Sequence, residues 1–230
     1  MKTIITIDGP AGGGKSTLAR ELAQTLADFR LVDIGSYFRW AAYLCLKDGV
    51  DLTRRREVYN HVKDKLELDF DSTKSGKSDE LKVFHQGKCV NQFIFSRQVS
   101  VNASYPAQYY LIRKLIRKNL RKLAKKYNII IAGRDTGTYT FPEAQIKFFL
   151  TADLESRAKR RFNDLKYSGQ KTSITDIREQ IRVRDDHDTN DKDGPLNMPQ
   201  DAILIDNTHM TVKQTWAECM KYIKKDLLDK

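Results

Sequence analysis

The stretch that decides the fold of this chain is Gly9-Pro10-Ala11-Gly12-Gly13-Gly14-Lys15-Ser16-Thr17. It matches the phosphate-binding pattern G-x-x-x-x-G-K-[ST]. Glycines allow successive backbone N–H groups to line a concave anion site, and a helix that starts at the loop adds its positive N-terminal end. In such loops the lysine contacts the β- and γ-phosphates, and the hydroxyl that follows it ligates Mg²⁺. The stretch therefore predicts an ATP site over all nine residues, with Lys15 on the phosphates and Ser16 on a magnesium ion that ATP brings.

The sequence on both sides of this loop has the periodicity that the motif requires. Residues 3–7 form a short β-branched run that is typical of a buried strand. After the loop, apolar residues recur at helical spacing up to residue 27. The order strand, glycine-rich loop, helix favours a genuine phosphate-binding loop over a chance turn.

Further strands and helices alternate along most of the chain. The other predicted core strands cover 31–33, 129–132, 146–150 and 202–205. Helices are predicted over 34–45, about 107–127, from 153 to a break near Ser168-Gly169, from 173 to 188, and from a capping box at Thr211 onward, where Val212, Trp216, Met220 and Ile223 are expected to be buried. This order predicts an α/β, P-loop NTPase-like fold in which helices cover both faces of a five-stranded parallel sheet.

Residues 50 to about 106 interrupt this alternation. After a charged helical piece at 52–65, three short strands are predicted at 66–70, 81–84 and 90–95, and a turn rich in Ser, Lys and Gly at 72–78 joins the first two. Short strands with tight turns indicate an antiparallel sheet that is inserted into the parallel fold.

The composition limits the classes of protein to consider. The chain has 230 residues, of which 40% are hydrophobic, so one packed α/β domain with an insertion is expected. Cys45, Cys89 and Cys219 are isolated in the sequence and are interpreted as buried thiols of a reducing compartment. No apolar run approaches ~18 residues and the N-terminal strand leads directly into the loop, so we expect a cytoplasmic protein without a membrane segment or signal peptide. A monomer is expected.

The net charge of +11 comes mostly from one predicted helix. Between Arg113 and Lys126 the sequence has eight basic residues and no acidic one, and the rest of the chain carries only +3. A solvated face opposite an apolar stripe explains such a helix without a polyanionic partner. Nucleic acid is therefore not an expected partner.

Charged side chains follow the ends of two predicted strands. Asp33 ends one strand, with Arg39 in the next helix, and Gly133-Arg134-Asp135 follows the most apolar strand. Ligands of open α/β sheets bind at these carboxyl ends. No strand ends in Asp-Glu, the pattern expected of ATPases that activate a water molecule. Loops with many arginines suit transfer to a second, bound phosphate.

Several motifs together resemble those of the bacterial cytidylate kinase family. They are Ile7 to Thr17, Gly133-Arg134-Asp135-x-Gly137-Thr138-x-x-Phe141-Pro142, Arg160-Arg161, Arg184-Asp185-Asp186-x-Asp188, Pro195-Leu196 and Asp201-Ala202. They occur in the family's order over nearly the whole chain, and the Gly-Arg-Asp-x-Gly-Thr segment is the most specific. The resemblance implies phosphoryl transfer from ATP to CMP or dCMP.

The resemblance also implies roles for individual residues. Arg39 and Arg134 would grip the 5′-phosphate of the acceptor. Asp33 is a predicted substrate-binding residue because of its place at a strand end. Arg184, Asp188 and Ser104 would hold sugar hydroxyls and nearby phosphate oxygens, and Arg113 and Asp135 would read the cytosine. Arg157, Arg160 and Arg161 would close over the transferring phosphoryl group, so that the implied catalytic set is Lys15, Arg134, Arg157, Arg160 and Arg161.

The implied organisation is one kinase domain over 1–230. Its core would comprise about 1–40, 107–156 and 186–230, with a nucleoside-monophosphate-binding insert at about 41–106 and a lid at about 157–185. Two positions depart from the family's pattern. Ile34 stands where Ser or Thr is usual near the base, and Asp191, beside Lys192, stands where Arg is expected.

Two other functions stay open from the sequence. The first is a kinase of the same fold that acts on UMP or another small acceptor. The second is a nucleic-acid-associated NTP-binding protein that uses the basic helix, and the missing Asp-Glu strand end and the arginines suited to an acceptor phosphate count against it.

Overall fold

The computed structural model describes residues 2–69, 82–85, 87–167 and 172–228. The strands of the described chain are β1 (Ile4–Asp8), β2 (Phe29–Asp33), β3 (Glu67–Asp69), β4 (Lys82–His85), β5 (Lys88–Cys89), β6 (Asn128–Ala132), β7 (Ile146–Thr151) and β8 (Ile203–Asp206). The helices are α1 (Lys15–Thr25), α2 (Ile34–Lys47), α3 (Arg55–Val62), α4 (Asn91–Ile94), α5 (Arg97–Asn102), α6 (Ser104–Ala107), α7 (Tyr110–Ala124), α8 (Leu154–Tyr167), α9 (Ile174–Thr189) and α10 (Val212–Ile223). Two π-helical turns, Thr136–Thr140 and Lys224–Leu228, complete the described elements.

A five-stranded parallel sheet in the order β2-β6-β1-β7-β8 confirms the predicted α/β fold. In the register of its parallel pairs, Ile7 lies opposite Phe148, and Phe148 lies opposite Ile203. All five residues of β1 are buried, as expected of a central strand that is covered on both faces.

The chain divides into two compact units. One, here called the phosphate-loop unit, comprises 3–26 and 130–230; the other, here called the insert-bearing unit, comprises 1–2 and 27–129. The boundary falls within β6. The narrower division into core, insert and lid that the resemblance implies stays a prediction.

The insert-bearing unit contains the predicted antiparallel sheet, in the order β3-β4-β5. Its third strand was predicted wrongly at 90–95. The observed strand is Lys88–Cys89, and Asn91–Ile94 is helical. The Asn91 side chain accepts the backbone N–H of Val83 at 2.9 Å and the Val90 carbonyl accepts the N–H of Phe93 at 2.9 Å, so strand pairing ends there and a helical turn begins. The predicted turn at 72–78 lies outside the described residues.

The basic helix of this unit is α7. Its residues Ile112, Ile116 and Leu120 are buried at a spacing of four, which confirms the predicted apolar stripe. The helix is shorter at both ends than predicted, since Ser104–Ala107 forms the separate helix α6.

In the phosphate-loop unit, α8 and α9 pack together through Ala158, Ile177 and Ile181. The predicted break near Ser168-Gly169 lies outside the described residues. The capping box of α10 is present as predicted, and of the residues predicted to be buried on this helix Met220 and Ile223 are. The prediction for Val212 is wrong, because this first residue of the helix is 48% exposed, and Trp216 is half-buried.

The cysteines only partly match the prediction. Cys45 and Cys219 are buried free thiols, and burial raises the pKa of Cys45 to about 11 and that of Cys219 to about 12. Cys89 is exposed, contrary to prediction, because it ends a two-residue strand instead of packing in a core. Within the described part of the chain, no helix is both long and apolar enough to span a bilayer.

Candidate active site

The phosphate loop joins the buried strand β1 to α1. Gly14 is the N-cap residue of α1 and has a φ of 87°, a left-handed conformation that L side chains rarely adopt. Gly9 is required for space, because a Cβ atom at this position would lie 2.0 Å from the carbonyl oxygen of Leu150 in β7. The glycines of the motif thus let the loop turn sharply next to Leu150, near the C-terminal end of β7, and lead into a helix.

Lys15 is buried within this loop. Its Nζ donates a hydrogen bond to the carbonyl oxygen of Pro10 at 2.7 Å. Burial, reinforced by the positive charge of Arg134, lowers the pKa of Lys15 to about 7, although Asp8 and other carboxylates act in the opposite direction. A phosphate that replaced the carbonyl as the partner of Nζ would favour the charged ammonium. Ser16 follows at the exposed start of α1.

Asp8 connects the loop to the Gly133-Arg134-Asp135 segment. Its buried carboxylate accepts the backbone N–H and the hydroxyl of Thr136, at 3.1 and 2.6 Å, and the backbone N–H of Gly137 at 2.7 Å. Burial raises the pKa of Asp8, and these three hydrogen bonds counteract the shift. Gly137 leaves the necessary room, because a Cβ atom there would lie 2.9 Å from the Thr6 hydroxyl. The end of β1 and the turn after β6 are therefore held as one unit.

A buried carboxylate lies between two of the predicted substrate-binding arginines. Asp188 on α9 is 6% exposed and accepts hydrogen bonds from Nε of Arg134 and, at 2.9 and 3.1 Å, from Nε of Arg184. Two guanidinium groups around one carboxylate leave a net positive charge, which suits an anionic ligand. Asp135, the neighbour of Arg134, is also buried and precedes the π-helical turn.

Arg157, in the first turn of α8, is almost completely buried. Its Nε donates to the carbonyl oxygen of Ala152 at 2.9 Å, and its Nη1 donates to the carbonyl oxygen of Ala11 at 3.0 Å and to the carboxylate of Asp185. In this structure the guanidinium therefore contacts the outside of the phosphate loop.

Arg160 is held one turn further along α8. Its Nη1 donates to Oδ1 of Asn207 at 2.9 Å and its Nη2 donates to the Asn207 carbonyl oxygen at 2.5 Å. Asn207 in turn donates from Nδ2 to the carbonyl oxygen of Gly13 at 3.0 Å. Arg161, next to it, has an exposed side chain.

The predicted residues of the insert-bearing unit centre on the start of α2. Asp33 caps this helix by accepting the N–H of Gly35 at 2.9 Å, and it lies 3.5 Å from Nη1 of Arg39. Gly35 leaves space for that pair, because a Cβ atom there would lie 2.7 Å from Nη1. The guanidinium of Arg39 also lies 5.2 Å from the ring centroid of Phe95, in cation–π geometry.

The other predicted positions are placed as follows. Ser104, the exposed first residue of α6, donates its hydroxyl to the Val101 carbonyl at 3.0 Å. Arg113 is half-buried on α7, and Ile34 is the half-buried first residue of α2. Asp191 in the phosphate-loop unit accepts the N–H of Asp193 at 2.9 Å.

The phosphate-loop unit therefore brings together the loop, Arg134, Arg157, Arg160, Arg184 and Asp188. Three further residues of this group had no role predicted from the sequence: Asp8, Asp185 and Asn207. Signals for all three were present. Asp8 is the last residue of β1, Asn207 is the residue after β8, and Asp185 lies within the Arg-Asp-Asp-x-Asp motif. Which of several adjacent carboxylates faces the loop depends on the rotation of α9, which the sequence does not specify.

The residues of the loop fit a magnesium ion that arrives with ATP. Among the described residues, no group of three or more His, Cys, Asp or Glu side chains could hold a metal by itself. The exposed hydroxyl of Ser16 is free to supply one oxygen ligand, and Mg²⁺ bound to a nucleotide needs few protein ligands because phosphates and waters supply the rest.

A family model and the relatives found by sequence indicate the same family. The family model described as Cytidylate kinase matches residues 5–225. The chain is 36% identical over 222 residues to the cytidylate kinase of Caldanaerobacter subterraneus subsp. tengcongensis, which covers 96% of this chain and 95% of that protein. It is 34% identical to the cytidylate kinase of Clostridioides difficile (96% and 97% covered) and 36% identical to that of Pseudomonas putida (92% and 91% covered).

Proposed function

The chain belongs to the cytidylate kinase family, and we propose that it transfers the γ-phosphoryl group of ATP to CMP and dCMP by direct in-line displacement. One observation best supports this proposal: the phosphate-loop unit contains both the loop and a second site, in which Arg134 and Arg184 surround the buried Asp188. The loop suits the triphosphate of the donor, and the two arginines suit a second anionic substrate. Such a pair of anion sites is what a nucleoside monophosphate kinase requires.

The donor would bind along the phosphate loop. Its β- and γ-phosphates would accept the loop N–H groups, and Nζ of Lys15 would exchange the Pro10 carbonyl for a phosphate oxygen. Ser16 would ligate the Mg²⁺ that accompanies ATP, and this ion would neutralise charge on the β- and γ-oxygens.

The acceptor would occupy the positive region around Asp188. Arg134 would bind its 5′-phosphate, Arg184 and Asp188 would bind the sugar hydroxyls, and Asp135 would accept the N4 amino group of cytosine. The resemblance assigns further acceptor contacts to the insert-bearing unit. These are Asp33, Arg39, Ser104 and Arg113.

The chemistry needs little covalent participation by the protein. An oxygen of the CMP phosphate attacks Pγ, the bond from Pγ to the β,γ-bridging oxygen breaks, and ADP leaves. Lys15, Arg134 and the arginines of α8 would stabilise the negative charge on the transferring group. We propose that the parts of α8 and α9 that fall in the predicted lid at about 157–185 also limit the access of water, which would otherwise hydrolyse ATP.

UMP is the second candidate acceptor, and Ile34 is the observation that favours it. This half-buried apolar residue stands where the family usually has a hydroxyl near the base. The absence of that hydroxyl removes one potential contact that could distinguish cytosine from uracil.

The test is to mix the protein with ATP, Mg²⁺ and CMP and to follow the nucleotides by ³¹P NMR. The proposal predicts that CDP and ADP form in equal amounts and that the reaction reverses when they are the starting materials. Release of ADP and inorganic phosphate without CDP would refute the assignment.

A further inference from the structure

Two links join α8 to the phosphate loop, and each includes a side chain from another part of the chain. Arg157 reaches the loop together with Asp185 of α9, and Arg160 reaches it through Asn207 at the end of β8. We propose that Asp185 and Asn207 are positioning residues that fix the phosphate loop in the conformation that binds ATP. The inference rests on the proposed function only in that it takes this loop as the ATP site.

The first link binds both backbone polar groups of one residue of the loop, Ala11. Asp185 accepts the backbone N–H of Ala11 at 2.9 Å, while Arg157 donates to the carbonyl oxygen of Ala11 at 3.0 Å. The two side chains are also paired with each other, and they are only 20% and 10% exposed. Charge-assisted hydrogen bonds in a partly desolvated position are strong and directional. The pair therefore sets the orientation of the peptide units on either side of Ala11.

The second link requires the chemistry of an amide side chain. Asn207, which is 4% exposed, must donate to the Gly13 carbonyl and accept from Arg160 at the same time. A carbonyl oxygen only accepts and a guanidinium only donates, so these two partners determine which way the amide points. An aspartate could not donate to Gly13, and an aliphatic side chain could make neither bond.

Close packing supports the same conclusion at the residue between the two links. A Cβ atom at Gly12 would lie 3.2 Å from both Cβ and the carbonyl oxygen of Arg157. The loop thus lies directly against the first turn of α8, with Ala11 packed against the core between α8 and α9. Holding Ala11 and Gly13 fixes the backbone of the loop before ATP arrives, which lowers the conformational cost of binding.

Electrostatics alone makes the opposite prediction for Asp185. Its carboxylate contacts the loop that would hold a triphosphate, so its negative charge opposes the binding of ATP. The isosteric change Asp185→Asn removes this charge and should tighten binding if charge were all that mattered. If Asp185 positions the loop through Arg157, the same change should weaken binding.

The decisive experiment measures the dissociation constants of ATP and ADP by titration calorimetry for the wild type and Asp185→Asn. We expect a roughly tenfold increase for both nucleotides, the effect of losing about one charge-assisted hydrogen bond. The KM for CMP should change less than about twofold. Asp186→Asn is the matched control, because Asp186 is the next residue of α9, is exposed and pairs with Arg182 at the surface at 3.2 Å. It should leave both dissociation constants unchanged.

Asn207→Leu is a second variant, which breaks the other link without changing the charge of the protein. It should also weaken ATP binding about tenfold. Amide hydrogen exchange of residues 9–17 should become faster in both variants without nucleotide. Should one variant fail to fold, the other carries the same prediction. Unchanged or tighter ATP binding in a folded variant, even with a lowered Tm, would overturn the proposal, since a merely structural role lowers Tm alone.

The binding measurements distinguish this inference from the proposed function. If the wild type binds ATP but makes no CDP, the proposed acceptor is wrong, while the comparison of Asp185→Asn with Asp186→Asn still decides the positioning role. If CDP forms but neither variant affects ATP binding, the proposed function stands and the positioning role is wrong.

Discussion

Burial favours the neutral form of Lys15, whereas its proposed role in catalysis needs the charged form. Its ammonium is buried against a carbonyl oxygen, and its pKa falls to about 7 as a result. The proposed phosphoryl transfer needs the charged form of Lys15 beside the γ-phosphate. Bound ATP would raise the pKa of Lys15 again, because the negative charges of its phosphates favour the ammonium form.

Replacing Lys15 by alanine should therefore abolish most of the transfer. The loss of one positive charge at the transferring group costs on the order of 3 kcal/mol, or about a hundredfold in kcat. Steady-state kinetics with ATP and CMP measure this effect. Lys213→Ala, an exposed lysine of α10, is the control and should be as active as the wild type. Turnover near the wild-type level in Lys15→Ala would show that the loop does not take part in catalysis.

The lowered pKa also predicts proton uptake when ATP binds. With a pKa of about 7, about nine-tenths of Lys15 is neutral at pH 8 in the ligand-free protein. Binding of the triphosphate raises this pKa, so that the complex takes up a proton. Calorimetry in buffers of different ionisation enthalpy should give an uptake of more than about half a proton per ATP at pH 8. The uptake should vanish in Lys15→Met. Equal uptake in both proteins would mean that another group titrates.

Asp135 is the residue that we expect to select the base. A carboxylate only accepts hydrogen bonds, so it can bind the N4 amino group of cytosine but faces the O4 acceptor of uracil unfavourably. An unpaired buried group costs about 1–3 kcal/mol, which corresponds to a ten- to hundredfold preference for CMP. Asp135→Asn should lower kcat/KM for CMP and narrow the ratio of CMP to UMP. An unchanged ratio would rule out a role for Asp135 in reading the base.

At the scale of elements, α10 shows how a local motif contributes to stability. Thr211 accepts the N–H of Gln214 at 3.2 Å, and the Gln214 side chain accepts the N–H of Thr211 at 2.9 Å. Thr211→Ala should lower the free energy of unfolding by about 1 kcal/mol in a denaturant titration. Val212→Ala changes the exposed neighbour and should have less than half of that effect. An unchanged free energy of unfolding in Thr211→Ala would mean that the capping box contributes nothing.

Most elements could be predicted from the periodicity of apolar residues, because each element buries either one face or both faces along its length. Ile129, Ile130 and Ile131 of β6 are consecutive apolar residues that are all buried, and α7 has one apolar stripe. The prediction failed at 90–95, where the Asn91 side chain accepts the backbone N–H of Val83 in the neighbouring strand and the sheet ends. Such a tertiary contact overrides the β-propensity of Val90 and Phe93 and leaves no periodic signal.

At the scale of the whole molecule, the phosphate loop indicated the class of fold, and the ends of the predicted strands indicated candidate ligand-binding residues. Arg134 and Asp135 are such candidates, and their roles stay predictions. The sequence did not indicate that Arg157 contacts the loop together with Asp185, or that Arg160 is joined to the loop through Asn207, since these partners lie far away in the sequence. Pairings between distant residues are set by the packing of helices on the sheet, and one sequence does not specify them.

The most direct test of the central claim, that this phosphotransferase acts on cytidine monophosphates, is a competition between acceptors. CMP, dCMP and UMP at equal concentrations are mixed with limiting ATP, and the diphosphates are separated and quantified early in the reaction, so that their ratios equal the ratios of kcat/KM. We expect CDP and dCDP to exceed UDP each by at least about tenfold. UDP in equal or greater amount, or consumption of ATP without any nucleoside diphosphate other than ADP, would contradict the account.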